Sequence, residues 1–372
     1  MTDERTSEAV ELLQRLIQTP SLSREESSAA DLIERFLRQK GLEPQRSGNN
    51  VWVVSQRFCD DWPTLLLNAH IDTVKPAQGW TRDPFVATLE GDRLYGLGAN
   101  DCGGGLVALM QVFLRHEMTT AAQTASETAA QMPFNLIYLA SAEEEVSGKN
   151  GIESVLPQLP HIDFAIVGEP TGLQPAAAEK GLMVIDATAH GRAGHAARNE
   201  GDNAILHALR DIQLLSDPAN GLFPNVSPLL GPVKTTVTMI QAGSQHNVIP
   251  DACTFVIDVR STDQYGNEQI LNTLQQSLTS ELHARSLRLA PSGLPADHPL
   301  LRLCQSLGLK PFGSPTLSDQ ALMRFPSLKL GPGESARSHT ADEYICVSEI
   351  AAAIALYSQL LDRAGEWLAK SL

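Results

Sequence analysis

The sequence predicts an α/β protein with two domains, and three observations support that prediction. Its 372 residues exceed the size at which a single hydrophobic core usually stops growing. Up to residue 179, short segments rich in β-branched and apolar residues alternate with segments that carry apolar residues at helical spacing. Beyond residue 179 the order becomes β-α-β-β-α-β, which is typical of a ferredoxin-like fold.

The first domain opens with two amphipathic helices, at residues 7–18 and 26–40, and Ser21 or Ser23 is available to cap the second. The apolar stretch after Gly103 predicts a third helix. Short β-rich runs bounded by turn residues predict strands at 50–56, 64–74, 134–141 and 163–170.

One segment of the first domain lacks a clear pattern. Residues 118–131 are small and polar without apolar periodicity. This composition predicts a surface loop or a frayed helix end and does not indicate a linker between domains.

The second domain is expected to be an insertion of about 110 residues. Its predicted strands are 181–191, 234–243, 253–262 and 285–291, and its predicted helices are 202–215 and 267–282. From Leu294 the chain returns to a helix, a loop and a helix that can complete the first domain. We therefore assign residues 1–179 and 292–372 to the first domain and 180–291 to the inserted one.

Composition excludes several classes of protein. The net charge of -15, without a basic patch, argues against nucleic acids and anionic membranes as partners. No apolar run approaches the roughly 20 residues of a membrane helix, and the charged N-terminus does not resemble a signal peptide, so we expect a soluble, cytoplasmic protein. The 5 cysteines include no CxxC pair, so a metal ion would have to be held by histidines and carboxylates.

Residues of the types that bind metal ions lie at the end of one predicted strand and just before the predicted third helix. His70 and Asp72 end an apolar strand and lie on one face of it, because side chains two residues apart in an extended chain point the same way. Asp101 precedes three glycines that let the backbone turn close to an ion. Each has an ordinary alternative: a polar strand end for the first pair, and a helix N-cap for Asp101.

Acidic residues also follow two further buried strands. Glu143, Glu144 and Glu145 are adjacent, and their mutual repulsion is costly unless cations or protons intervene. A solvated turn is the alternative, although such turns do not usually end a buried strand. Glu169 repeats the arrangement, and His339 lies in a loop rich in Gly and Ser, where a core histidine is less expected.

His70, His339, Asp101, Glu145 and Glu169 supply two imidazoles and three carboxylates to one domain. We expect them to lie close together, because ligand sites of open α/β sheets lie at the carboxyl ends of strands. Such mixed nitrogen and oxygen ligands suit two divalent ions, zinc first, with cobalt or manganese as alternatives. Two ions about 3.5–4 Å apart can polarise a carbonyl group and activate water. The sequence therefore predicts a two-metal hydrolase, with one acidic residue as a ligand and its neighbour as general base.

These motifs resemble the M20 family of metallo-aminoacylases and peptidases. The resemblance covers essentially the whole chain through AHIDTV, GANDCGGG, EEEVSG, VGEPTG, GRAGHAA, HNVIPD and ARSHTADE. It implies a zinc-aminopeptidase-like catalytic domain with a mixed central sheet. It also implies that the inserted ferredoxin-like α+β domain serves as a dimerisation or lid domain, so that the protein forms a homodimer.

The resemblance assigns the metal ligands. His70 and Glu169 would bind one ion, and Glu145 and His339 would bind the other. Asp101 would bridge the two ions.

The resemblance also assigns two residues that act beside the ligands. Asp72 would orient His70 and raise its basicity. Glu144 would be the general base that takes a proton from the attacking water and later protonates the leaving amine.

The three adjacent glutamates allow two alignments with the family motif, which we call frames, and these differ in which glutamate is the base and which is the ligand. The family usually shows Asp-Glu-Glu where this chain has Ala142 followed by three glutamates. We prefer Glu144 as base and Glu145 as ligand because Gly148 then keeps its family-like distance. In the shifted frame, Glu143 is the base and Glu144 the ligand.

In the inserted domain, His195 resembles the family histidine that reaches the partner subunit's active site and stabilises the tetrahedral oxyanion. Asn247 and Arg260 resemble the residues that hold the substrate carboxylate, for which the planar guanidinium fork is well suited. A loop histidine without a role and a surface salt bridge are the ordinary alternatives for His195 and Arg260.

The overall pattern is most similar to acetylornithine deacetylases and succinyl-diaminopimelate desuccinylases. It implies hydrolysis of N2-acetyl-L-ornithine to L-ornithine and acetate in arginine biosynthesis. On charge alone, Glu200, Asp202 or Asp319 could pair with the cationic side chain of such a substrate.

Other substrates stay open. Deacylation of N-succinyl-ornithine, N-acetyl-citrulline or succinyl-diaminopimelate uses the same chemistry, as does cleavage of peptides by a dipeptidase or carboxypeptidase. A non-catalytic binding protein is disfavoured because none of the five ligand positions is missing.

Overall fold

The computed structural model describes residues 4–123, 133–198, 200–217, 219 and 221–368. Its α-helices are Glu4–Ile17 (α1), Ser27–Gln39 (α2), Gly104–Gln123 (α3), Ile152–Val155 (α4), Ala204–Ser216 (α5), Asn267–Ser277 (α6), Pro299–Ser306 (α7) and Val347–Asp362 (α8). Its strands are Gln45–Ser47 (β1), Asn50–Val54 (β2), Thr64–His70 (β3), Thr88–Glu90 (β4), Arg93–Tyr95 (β5), Asn135–Ser141 (β6), Phe164–Val167 (β7), Ala176–Glu179 (β8), Gly181–His190 (β9), Gly194–His195 (β10), Lys234–Ala242 (β11), Val248–Ile249 (β12), Ala252–Ser261 (β13), Glu281–Ala284 (β14), Ser292–Gly293 (β15), Phe312–Ser314 (β16), Ser327–Lys329 (β17) and Tyr344–Cys346 (β18).

The chain divides into two compact units. The first contains Met1–Ala177, Leu294–Phe312 and Ser318–Leu372, and the second contains Ala178–Gly293 and Gly313–Leu317. The breaks at 177/178 and 293/294 each lie two residues from the predicted domain boundaries at 179/180 and 291/292. Residues 313–317 belong to the second unit, whereas the sequence predicts them in the first domain.

The first unit contains a mixed central sheet in the order β1-β2-β6-β3-β7-β17-β8. Strands β6, β3, β7 and β17 run parallel, whereas β2 and β8 pair antiparallel with their neighbours. Side chains of β3 alternate between the two faces: Leu65 and Leu67 join the core cluster with residues of α1, α3 and α8, and Leu66 joins a second cluster with Ile152 and Val155 of α4. Both faces of the sheet are therefore buried, and the mixed sheet confirms the expected α/β class.

The second unit contains a four-stranded antiparallel sheet in the order β11-β13-β9-β14. With these four strands numbered along the chain, this is the 2-3-1-4 order, which is the ferredoxin-like arrangement read from one edge. Alternate side chains of β9, such as Ile185 and Ala187, pack with Ala208 of α5 and Leu274 of α6. The β-α-β-β-α-β prediction is confirmed.

Three local predictions were wrong. Helix α6 ends at Ser277 and the last strand is Glu281–Ala284, not residues 285–291. The carboxylate of Asp211 accepts hydrogen bonds from the backbone N–H groups of Thr279 and Ser280, which takes the chain out of the helix before residue 281. Helix α2 has Glu26 at its N-cap position without a side-chain cap, so neither predicted serine caps it.

The predicted loop at 118–131 is only partly described, because α3 continues through Gln123 and residues 124–132 lie outside the described part of the chain. Among the residues that the structure describes, no helix is long and apolar enough to cross a membrane.

Candidate metal centre

Three parallel strands bring acidic and histidine side chains to one edge of the central sheet. His70 is the last residue of β3, Glu144 and Glu145 lie in the turn after β6, and Glu169 lies two residues after β7. Since β6, β3 and β7 are parallel neighbours, their carboxyl ends meet at the same edge. This is where ligand sites of α/β sheets are found.

Asp101 reaches this edge from the turn before α3. The carboxylate of Glu343 holds that turn by accepting hydrogen bonds from the backbone N–H groups of Gly98 (3.1 Å), Asn100 (2.8 Å) and Asp101 (2.9 Å). The peptide bond between Asp101 and Cys102 is cis. The turn is therefore fixed by a carboxylate from a distant part of the chain.

Glycine allows the start of α3 to lie close to the end of β7. A Cβ atom on Gly105 would collide with the carbonyl oxygen of Gly168. The two backbones can approach this closely only with glycine at residue 105.

The five predicted ligands form two groups that share Asp101. In the first, His70 Nε2 lies 3.3 Å from Asp101 Oδ1 and 3.5 Å from Glu169 Oε1. In the second, His339 Nε2 lies 2.9 Å from Glu145 Oε2 and 3.6 Å from Asp101 Oδ2. The two oxygens of one carboxylate thus face two different sets of donor atoms.

These groups fit divalent metal ions. Ligand atoms arranged tetrahedrally at about 2.0–2.1 Å from an ion are roughly 3.3–3.4 Å apart, close to the separations in the first group. Glu169 Oε1 is buried and accepts no hydrogen bond from any described residue, which is costly for a carboxylate without a cation. The residues present are therefore those that an ion at this edge would require.

One sulfur atom lies close to the first group. Cys102 Sγ lies within 4.8 Å of a ligand atom of His70 and one of Glu169, a proximity that the predicted set of histidines and carboxylates did not include. Its thiol donates to the backbone carbonyl oxygen of His70 at 3.5 Å, and burial raises its pKa.

The crowded carboxylates change the acidity of the site. Burial raises the pKa of Glu169 to about 8, and the charge of Asp101 adds to that effect. Burial and the charge of Glu169 raise the pKa of Glu144 well above its ordinary value. The hydrogen bond to Glu145 raises the pKa of His339 to about 9. Bound cations would reverse the shifts of the carboxylates, because a positive ion favours their charged forms.

The imidazole of His70 has its second nitrogen engaged. Its Nδ1 lies 2.9 Å from the backbone carbonyl oxygen of Asp72, which fixes the tautomer with Nε2 free to bind an ion. The Asp72 carboxylate is 3.6 Å away and accepts hydrogen bonds from the backbone N–H groups of Glu144 (3.0 Å) and Glu145 (3.2 Å). Asp72 therefore orients His70 mainly through its main chain and the acidic turn through its side chain.

The two frames of the acidic run place their residues differently. Glu145 meets His339, whereas the Glu143 carboxylate accepts a hydrogen bond from the side chain of Asn150 at 2.9 Å. Burial first, and then the charge of Glu169, raise the pKa of the Glu144 carboxyl group. The contact of Glu145 with His339 favours Glu145 as a ligand, and Glu144 as the base stays a prediction.

The remaining predicted site residues lie in the second unit. His195 ends β10 and pairs with β12, which places it beside Asn247, and both residues are exposed. The guanidinium of Arg260 makes two hydrogen bonds to the Asp258 carboxylate, at 2.8 and 3.2 Å. These bonds use the Nε and Nη2 side of the guanidinium, and Asp258, a neighbour on the same strand, thereby fixes the orientation of Arg260.

The three acidic residues proposed to pair with a cationic substrate side chain lie in different surroundings. Glu200 and Asp202 are exposed in the second unit. Asp319 is buried in the first unit and accepts a 2.6 Å hydrogen bond from the Ser141 hydroxyl at the end of β6. Burial raises the pKa of Asp319 to about 6. The Asp319 carboxylate is thus already engaged by the strand end that carries the acidic turn.

The sequence analysis did not select Glu343, a buried carboxylate near the site. Glu343, four residues after His339, holds the turn of Asp101. Burial raises its pKa to about 7. The only signal in the sequence was an acidic residue within a motif already chosen for its histidine, and nothing local marks it as buried.

Comparison with known proteins identifies the family of the chain. Residues 66–363 match the model of peptidase family M20/M25/M40. The chain is 27% identical to the acetylornithine deacetylase of Proteus mirabilis (strain HI4320), covering 95% of this chain and 96% of that protein. It is 28% identical to the succinyl-diaminopimelate desuccinylase of Corynebacterium glutamicum, covering 94% of this chain and 95% of that protein.

Solved structures share the fold. The aminopeptidase PepT from Bacillus cereus ATCC 10987 superposes with a TM-score of 0.74 at 15% identity, covering 97% of this chain and 99% of that one. The Bacillus subtilis YXEP protein, a dinuclear metal-binding peptidase from the M20 family, gives a TM-score of 0.71 at 16% identity, covering 98% of this chain and 99% of that one.

The fold and the match over most of the chain define a metal-dependent hydrolase. The chain belongs to peptidase family M20/M25/M40.

Proposed function

We propose that the protein is a two-metal amidohydrolase that removes the acyl group from a small N-acylated amino acid. The observation that carries this proposal is the shared carboxylate: Asp101 presents one oxygen to His70 and the other to His339. His70 and Glu169 would hold one ion, Glu145 and His339 the other, and Asp101 would bridge them. Zinc is the first choice for both ions, with cobalt or manganese as alternatives.

The residues around these ligands support a hydrolytic mechanism. When bound, two divalent ions polarise the scissile carbonyl group and lower the pKa of water. Glu144 takes a proton from the attacking water and returns it to the leaving amine. His70 keeps Nε2 available because its Nδ1 is engaged by the carbonyl oxygen of Asp72.

The proposed substrate is N2-acetyl-L-ornithine, hydrolysed to L-ornithine and acetate in arginine biosynthesis in the cytoplasm. The similarity to the acetylornithine deacetylase of Proteus mirabilis supports this substrate. The similarity to the succinyl-diaminopimelate desuccinylase of Corynebacterium glutamicum supports succinyl-diaminopimelate as the alternative. N-succinyl-ornithine, N-acetyl-citrulline and dipeptides require the same bond cleavage. Asn247 and Arg260 are the proposed contacts of the substrate carboxylate.

Amine release from these substrates tests the proposal. The protein is stripped of metal with a chelator, and zinc or cobalt is added back before each substrate is supplied. We expect turnover of an acylated amino acid only after metal is restored, with acetylornithine fastest. Turnover of dipeptides alone would move the protein to the peptidase branch of the family, and metal-independent turnover would contradict the two-metal site.

We further propose a homodimer formed through the second unit. Its edge strand β11 exposes Met239 (57%) and Ile240 (50%), and the adjoining helix α5 exposes Leu206 (53%) and Leu209 (43%). Exposed apolar side chains on a sheet edge and the neighbouring helix are a typical surface for pairing with a second copy. In such a dimer, His195 would stabilise the oxyanion in the partner subunit's active site.

A mixing experiment tests this role of His195. His195→Ala and Glu144→Gln are each expected to be nearly inactive, because one lacks the oxyanion donor and the other the base. When the two variants are mixed and allowed to exchange subunits, some dimers contain one site with both residues intact. We expect activity well above that of either variant alone, and no recovery in exchanged mixtures would show that His195 does not act in trans.

A further inference from the structure

Four consecutive backbone N–H groups of the acidic turn, from residues 142–145, each donate to a side-chain oxygen. The first goes to Asn50 Oδ1 at 2.9 Å and the second to Glu26 Oε1 at 3.3 Å. The third and fourth go to the two carboxylate oxygens of Asp72, at 3.0 and 3.2 Å. The turn that carries the proposed base and ligand is thus held by three side chains from distant parts of the chain.

Glu26 is itself firmly placed. It is fully buried, and its Oε2 accepts a 2.8 Å hydrogen bond from the side-chain amide of Asn49. Its Oε1 also accepts the backbone N–H of Arg24 at 2.5 Å. A buried carboxylate is costly unless its oxygens are hydrogen-bonded, and here both oxygens are.

The segment that contains Glu26 also supports Asp72. The Ser23 hydroxyl donates to Asp72 Oδ2 at 2.7 Å. The backbone N–H of Ser23 donates to the carbonyl oxygen of Thr73 at 3.1 Å, and Thr73 N–H donates to the carbonyl oxygen of Ser21 at 2.9 Å. Residues 21–26 therefore bind both the loop after β3 and the turn after β6.

The turn has two backbone hydrogen bonds of its own, from Ser147 N–H to the Glu144 carbonyl oxygen and from Gly148 N–H to the Glu143 carbonyl oxygen, both at 2.8 Å. Its backbone conformation is nevertheless unfavourable, and the side-chain acceptors help to hold it. Glu143 and Ser147 have positive φ angles of 55° and 44°, which are unfavourable for residues other than glycine. Side-chain acceptors that bind successive N–H groups set the direction in which the following side chains point. A small rotation here would move Glu144 and Glu145 relative to the proposed ions.

We propose that Glu26 is a positioning residue of the metal centre, assisted by Ser23, and that it sets the orientation of Glu144 and Glu145 without contacting substrate or metal. This inference rests on the proposed function. Since Glu145 belongs to only one of the two ligand groups, loss of Glu26 should weaken one metal site more than the other.

Glu26→Ala is expected to lower kcat and the affinity of one metal-binding step by about 10–100-fold, the usual effect of removing a residue that supports metal ligands. Glu26→Gln should retain most of the kcat and most of the metal affinity. Its Oε1 can still accept the backbone N–H of Glu143. Its new amide group would face the Asn49 side chain, whose amide can rotate so that its oxygen accepts the hydrogen bond. Glu25→Ala, at an exposed neighbouring position, is the matched control.

Calorimetric zinc titration of the metal-free proteins and kcat at saturating metal provide the readouts. If Glu26→Ala binds zinc in both steps with the same affinities as Glu25→Ala and has the same kcat, Glu26 has no positioning role. If Glu26→Ala does not fold, Ser23→Ala carries the test, with a smaller loss expected and no loss overturning the proposal. A wild-type protein that binds no zinc would instead contradict the proposed two-metal function.

Discussion

Replacing Glu144 by glutamine is expected to lower kcat by about 10²–10⁴-fold, the usual contribution of a general base, while both metal ions stay bound. Glutamine has nearly the same shape as glutamate but cannot take a proton from water. The backbone N–H of residue 144 would still donate to Asp72, so the turn should keep its conformation. Steady-state kinetics and the metal content per chain measure the two effects separately.

Glu143→Gln is the matched control for this experiment. The Glu143 carboxylate is engaged by the side chain of Asn150 and belongs to neither ligand group, so we expect kcat to change little. If Glu143→Gln loses kcat and Glu144→Gln loses metal, the shifted frame is correct. Unchanged kcat in Glu144→Gln would remove that residue from the proposed role of base.

Replacing Asp101 by alanine is expected to remove both metal ions and nearly all activity. Its two oxygens face His70 and His339, so both ligand groups lose a donor at once. A loss of about 4 kcal/mol in transition-state stabilisation corresponds to roughly 10³-fold in rate, which is a minimum for a site that has lost its ions. Metal analysis after desalting and the rate of amine release provide the measurement.

Asp101→Asn separates the two groups. The asparagine keeps one oxygen in place and replaces the other by an amide nitrogen, which cannot bind a cation, so we expect the affinity of one ion to fall more than that of the other. Asp297→Ala, at an exposed position, controls for the loss of a negative charge. Full metal content in Asp101→Ala would rule out a bridging role.

Much of the site could be predicted because its residues follow strands that are visible in the sequence. Apolar runs followed by His70, Glu145 and Glu169 predict that these side chains meet at one edge, since parallel strands share the direction of their carboxyl ends. The β-α-β-β-α-β order likewise predicted the fold of the second unit. In contrast, the end of α6 depended on Asp211, which lies 69 residues before its partner Ser280, and no local pattern reveals that contact.

The sequence by itself determined the α/β class, the inserted ferredoxin-like order and the residue types of the candidate metal centre, because periodicity and strand-end chemistry are local properties of the chain. Only the tertiary structure decided which glutamate faces His339, and that Asp72 and Glu26 hold the acidic turn. The direction of a side chain in a turn depends on hydrogen bonds to residues far along the chain, and those partners come together only when the chain folds.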